Sequence, residues 1–240
     1  MDYSTLKLQI IDGIKQSPIA ITNARALNQM IANGTANYTT VADYSKVLGD
    51  VTSKSIARNI TEDIESELEE FAVECLAPVY RQCQNTMLNA CKNVQSIYNA
   101  KAGIELNPVD VPRDESRIIH IIERFSGEET FDTLKFLTGA DVARSITRGA
   151  VTDSIRANSK FQSDAGLKVL ISRSDGSGCC NWCAGLVGTY DSFDKLPSDF
   201  WGIHRGCSCV IDYRVGKTKD RITFQTDKSG KISKTTEKVK

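Results

Sequence analysis

GCCNWCAGLVGTY, residues 178–190, sets three cysteines within five positions, and HRGCSC, residues 204–209, adds two more beside a histidine. Five of the chain's eight cysteines therefore fall between Cys179 and Cys209. The spacing is Cys180-x2-Cys183, twenty intervening residues, then His204-x2-Cys207-x-Cys209. A C-x2-C pair at a tight turn presents two sulfurs to one ion, and a second pair delivered across a hairpin completes a tetrahedron of sulfur and nitrogen ligands. Cys180 and Cys183 follow the turn-forming SDGSG, and Cys207 and Cys209 lead into the strand-like CVIDYRV. The pattern predicts a structural zinc site. Cys180, Cys183 and Cys207 are the firmest ligands, and the fourth place goes to His204 or Cys209, with Cys179 a sixth candidate.

Around this cluster the texture is that of a small β-rich module. LKVLISRS, LVGTYD, CVIDYRV and RITFQT are short β-prone runs separated by Gly, Ser and Asp. The window 166–216 has about 50 residues, a size at which apolar burial alone leaves a fold marginal. Zinc contributes on the order of 10 kcal/mol where the unfolded chain has no preformed site. The module is accordingly expected to depend on its metal for folding.

Upstream, helix follows helix. TNARALNQMIANG opens on Thr22 as a cap and closes on Gly34. SKSIARNITEDIESELEEFAVECL spaces Ile56, Ile60, Ile64, Leu68 and Phe71 as a helical apolar stripe, with an acidic face opposite. Pro78 interrupts that pattern, which resumes to Gly103, so either one long kinked helix or an antiparallel pair is expected. LNPVDVPRDE, with Pro108 and Pro112, reads as a linker. Three more helical runs follow, DESRIIHIIERFSG, EETFDTLKFLTG and ADVARSITRGAVTDSIRANSKFQSDAG. The expected class is α+β: a mainly helical N-terminal body (1–107), a further helical part (113–165), the zinc-stapled β-rich module (166–216) and a basic polar tail (217–240).

Forty per cent hydrophobic and 25% charged residues describe an ordinary globular composition. The N-terminus lacks a secretory signal, and no apolar run reaches membrane-spanning length, so a protein of a reducing cytosol, without membrane contact, is expected. That setting favours metal over disulfides for clustered cysteines. Net charge is zero, yet residues 214–240 carry nine Lys/Arg against three Asp/Glu. Such a tail is suited either to solubility or to contact with nucleic acid.

Other features read as structural. Cys75, Cys83 and Cys91 recur every eight residues and are expected as buried thiols. His120, between isoleucines, is expected to be held by packing and one hydrogen bond. EDIESELEE is a solvated helix face, and Trp182, Phe193, Phe200 and Trp201 are expected to build a small core over the metal. Enzyme chemistry is not expected. There is no G-x-x-x-x-G-K-[ST] loop, no H-x-E with P-C-x-x-C, and only two histidines to serve a nuclease or a Cys–His pair.

The stretch from about residue 140 to 213 resembles the phage Mu F-like minor head (head-morphogenesis) proteins. Ile146, Thr147, Arg148 and Asn158 match that family's helix, Asp175 its pre-cysteine aspartate, and Cys180, Cys183, Leu186, Gly188, His204, Cys207 and Cys209 the remainder. Arg205 and Ser208 stand where the family has proline and arginine, and the gap after Asp175 is one residue longer. The resemblance implies a structural virion component in the capsid interior near the portal, resident in host cytoplasm before assembly. It implies portal and capsid proteins as partners, a role in head assembly or DNA delivery, and double-stranded DNA contact through the basic tail, with no small-molecule substrate. The alternative is a zinc-containing DNA- or RNA-binding module with a packaging or regulatory role.

Overall fold

The computed structural model describes residues 2–60, 64, 67–126, 139–175, 180–204, 208–215, 220–226 and 232–238. Helices α1 (Tyr3–Lys15), α2 (Pro18–Ala32) and α3 (Tyr38–Asn59) come first. After them come α4 (Leu68–Phe71), a π-helical turn (Ala72–Leu76), α5 (Ala77–Lys101), α6 (Glu115–Ser126) and α7 (Ala140–Asp164). β1 (Val169–Ser174), α8 (Asn181–Ala184), β2 (Gly188–Tyr190) and β3 (Val210–Val215) make the C-terminal sheet region. β4 (Asp220–Thr226) and β5 (Ile232–Lys238) end the described chain. The architecture is α+β, mostly helical with a small antiparallel sheet near the C-terminus.

Local chemistry accounts for several helix ends. The Asp2 carboxylate accepts from the Ser4 and Thr5 amides to start α1, and Asn37 and Thr40 form a reciprocal capping box on α3. α2 does not start at Thr22: Pro18 occupies its first turn behind Ser17, because a fixed φ and a missing N–H suit that position. It does close at Gly34. α7 closes at Gly166, whose φ of 79° lets the Leu167 amide reach back to the Gln162 carbonyl at 3.0 Å and turns the chain into β1.

The stripe from Ile56 to Phe71 is one core surface but not one helix. α3 ends at Asn59, where Ile60 turns extended, while Ile56, Ile64, Leu68 and Phe71 share one buried cluster. Helix then continues from Leu68 to Lys101 across Pro78. A proline cannot donate to the carbonyl four residues back and its ring crowds it, and the π-helical turn just before Pro78 supplies the room. The linker around Pro108 and Pro112 has no regular structure, as expected. EETFDTLKFLTG lies outside the described residues except Gly139, which caps α7.

α3 and α7 form the most extensive helix pair, crossing at Gly49, where a Cβ would stand 2.8 Å from the Arg144 Cα. The three-stranded sheet has the order β2-β1-β3, with Ile171 opposite both Tyr190 and Tyr213. It does not build a core of its own. Val169, Ile171, Phe200, Ile211 and Tyr213 join Tyr38, Val41, Met87, Val94, Val151 and Ile155 of the helices in one cluster.

A buried polar network fastens the same seam. The Gln95 Oε1 accepts from the Tyr38 and Tyr213 hydroxyls at 2.7 and 2.6 Å, and Asn99 Oδ1 accepts from Gln95 and Gln162 at 2.8 and 2.7 Å. The smallness of window 166–216 is therefore not the deciding quantity. Its strands draw their apolar burial from helices outside the window, so metal is not needed to create a core there. The segment 217–240 also differs from a polar tail. RITFQT lies in β4 as expected, and ISKTTEK pairs with it antiparallel as β5, with Thr223 opposite Thr235. Its Ile232, Thr235 and Thr236 carry strand preference that its lysines mask.

Candidate metal centre

The site grows from the end of β1. Cys180 sits in extended conformation at the N-cap of α8, its sulfur accepting from the Cys183 amide at 3.5 Å. That turn brings the two sulfurs of C-x2-C to one side. His204 arrives on the segment that follows Phe200 and Trp201, its Nε2 lying 3.2 Å from Cys180 Sγ and 2.8 Å from Cys183 Sγ. All three ligand atoms lie within 4.8 Å of one another. Donors around a tetrahedral zinc at about 2.0–2.3 Å stand about 3.5–3.8 Å apart. The imidazole nitrogen lies closer than that to both sulfurs, so the set matches such an ion in donor chemistry and would have to open by a few tenths of an ångström or more to take it. Cys180, Cys183 and His204 lie close together and could hold a metal ion.

Of the remaining candidates, Cys207 and Cys179 lie outside the described residues. Cys209 is buried at the head of β3 and is not part of the three-residue group. Its main-chain carbonyl instead accepts from Arg148 Nη2. Between His204 and Cys209 as partners of the first pair, the fold gathers His204. Cys209 begins the alternation that buries Ile211 and Tyr213, which commits it to the sheet's inner face.

The two cysteines sit in different surroundings. Cys183 is buried and Cys180 exposed. The Cys183 amide aimed at its sulfur pulls the Cys180 thiol below its ordinary pKa, with a smaller contribution from His204. The α5-side cysteines are the reverse: burial pushes Cys75 and Cys91 up to about 12 and Cys83 up to about 11, so they are inert core thiols as expected.

The residue that sequence reasoning missed is Arg173. It is 2% exposed, yet charged. Its Nη1 donates to the Phe200 and Gly202 carbonyls at 2.5 and 3.0 Å, and its Nη2 to Cys183 Sγ at 3.4 Å. Its guanidinium also lies 5.5 Å from the Trp182 ring, and that ring meets His204 edge-on at 5.3 Å. The signal was in VLISRS: a period of two puts Arg173 on the same buried face as Val169 and Ile171, and a charge on such a face demands partners.

The aromatic residues divide. Trp182 stays exposed beside His204, whereas Phe193, Phe200 and Trp201 pack into the shared core, Phe200 edge-on to Trp201 at 5.0 Å. His120 keeps one hydrogen bond, to Glu123 at 3.2 Å, but no packing, because it lies on the solvent side of α6. Of EDIESELEE, Glu69 and Glu70 are exposed, and Glu67 accepts from the Tyr3 hydroxyl.

The polar helix residues that carried the resemblance are buried fasteners. Thr147 donates to the Ser45 carbonyl at 2.8 Å, Arg148 to Cys209, and Asn158 accepts from the Val109 amide of the linker at 2.9 Å. Compared with family models, with curated proteins and with solved structures, the chain matches none. Among the described residues, no helix is long and apolar enough to cross a membrane.

Proposed function

We propose that Cys180, Cys183 and His204 hold a structural zinc ion with Cys207 as fourth ligand, and that the chain is a non-catalytic minor head protein of the phage Mu F-like kind. The observation that carries this reading is the cluster itself: two sulfurs and an imidazole from sequence-distant arms, within 4.8 Å, drawn from the stretch that resembles the head-morphogenesis proteins. When bound, the ion would cross-link the arm after β1 to the arm before β3. The chain's own residues supply the frame: α8 orients the sulfurs, Trp182 braces the imidazole, and Arg148 and Thr147 lock α7 to the strand and helix on either side.

In this reading the protein acts in the capsid interior near the portal, in head assembly or DNA delivery. The test is co-expression with whatever portal and major capsid proteins the flanking genes encode. Stable co-purification with either, and incorporation into assembled heads, supports the reading; normal heads that exclude the protein overturn it. A second reading, a DNA- or RNA-binding zinc module, is favoured by one observation, the nine basic residues of segment 214–240. It predicts filter binding whose steep salt dependence disappears when residues after Val215 are removed.

A further inference from the structure

We infer that Arg173 is the positioning residue of the metal centre, joining its two arms and supplying an N–H···S bond to the metal-ligating sulfur of Cys183. The inference rests on the metal reading above and extends it to a residue that touches no metal. Arg173 stands on β1, the central strand of the sheet, with its side chain on the buried face. One nitrogen of its guanidinium holds the carbonyls of Phe200 and Gly202, the turn that delivers His204. The other nitrogen donates to Cys183 Sγ on the opposite arm. Its charged plane faces Trp182, whose ring in turn fixes the His204 edge.

A guanidinium is the side chain suited to this task. Its planar fork offers several donors in fixed directions, and it stacks on aromatic faces, whereas a lysine ammonium is a point charge on a flexible stem. Hydrogen bonds to a ligating sulfur drain negative charge from it and fix its direction. Outer partners of this kind typically control metal affinity by about 10- to 100-fold. A role confined to bracing the Phe200–Gly202 turn would leave the electronic state of the sulfur untouched, and that distinguishes the two.

The experiment is anaerobic Co(II) titration of the full chain, comparing wild type with Arg173→Lys and Arg173→Gln. Wild type is expected to take up one Co(II) with a thiolate charge-transfer band. Both variants are expected to retain helical circular dichroism, bind about 10- to 100-fold more weakly and show a shifted band. Variants with wild-type affinity and an unmoved band overturn the role of Arg173 while leaving the metal reading intact. A wild type that binds neither Co(II) nor zinc overturns the metal reading itself. Should neither variant fold, wild type loaded with ¹¹³Cd decides. Scalar coupling between the Arg173 Nη protons and the metal, through Cys183 sulfur, is expected, and its absence overturns the inference.

Discussion

Arg148 on α7 donates through Nη2 to the main-chain carbonyl of Cys209 at the head of β3, and both residues are buried. A helix is thereby bonded to Cys209, just ahead of β3, by a charged donor in a water-poor seam. Removing the donor leaves a buried carbonyl without that bond, which costs about 2 kcal/mol. Arg148→Met is therefore expected to lower the urea unfolding free energy by about that amount, with an unchanged slope. A loss below about 0.5 kcal/mol would mean that the bond does not fasten the strand.

Because Val169, Ile171, Ile211 and Tyr213 share a core with α3, α5 and α7, metal removal is expected to act locally. Chelation should raise amide hydrogen exchange between residues 180 and 204 and leave the helices and the paired amides of β1 and β3 protected. Global loss of protection would show that the sheet is metal-dependent after all.

Exposure separates the thiols. In the native, metal-free protein, iodoacetamide is expected to modify Cys180 well before Cys75, Cys83 or Cys91, which are buried with thiols at about 12, 11 and 12. Added zinc should slow the reaction at Cys180. Mass spectrometry showing Cys83 labelled as fast as Cys180 would contradict the packing of α5.

Asp212 gives a pH dependence with a defined sign. Burial holds its carboxyl above the usual range, against the opposing pull of the Tyr213 amide, the Tyr98 hydroxyl and Arg214. The folded state thus binds a proton more readily than the unfolded state, and stability falls as pH rises from about 4 through the raised folded value. The substitution Asp212→Asn keeps a side-chain oxygen for Tyr98 and Tyr213 and removes the charge. The stability gap between this variant and wild type should therefore widen in favour of the variant from about pH 4 to about pH 7. A gap that stays constant or closes would refute the assignment.

Local grammar was the readable part of this chain. Gly34, Gly103 and Gly166 end helices because each stands at positive φ, and strand-prone runs after Gly166 became β1, β2 and β3. The C-x2-C spacing named Cys180 and Cys183 as neighbours and offered His204 or Cys209 as a further partner; the fold brings His204 to them. Long-range packing was not readable. Arg148 looks like a surface charge in isolation, and only the partner brought by another element shows it to be a buried fastener; the alternation of VLISRS turns Arg173 inward but does not name the carbonyls and sulfur it holds. The break of the Ile56–Phe71 stripe after Asn59 and the π-helical turn before Pro78 depend on tertiary fit that a periodic pattern does not encode. The union of the sheet with the helices also comes from contacts between residues far apart in the chain, such as Tyr38 with Gln95 and Gln95 with Tyr213.

Metal content of the full chain, purified under reducing conditions from zinc-supplied cells, is the most direct measurement. The account predicts one zinc per chain in wild type and loss of that zinc in Cys183→Ser and His204→Ala, with helical circular dichroism retained. Wild-type protein that is folded, reduced and free of stoichiometric zinc would contradict it.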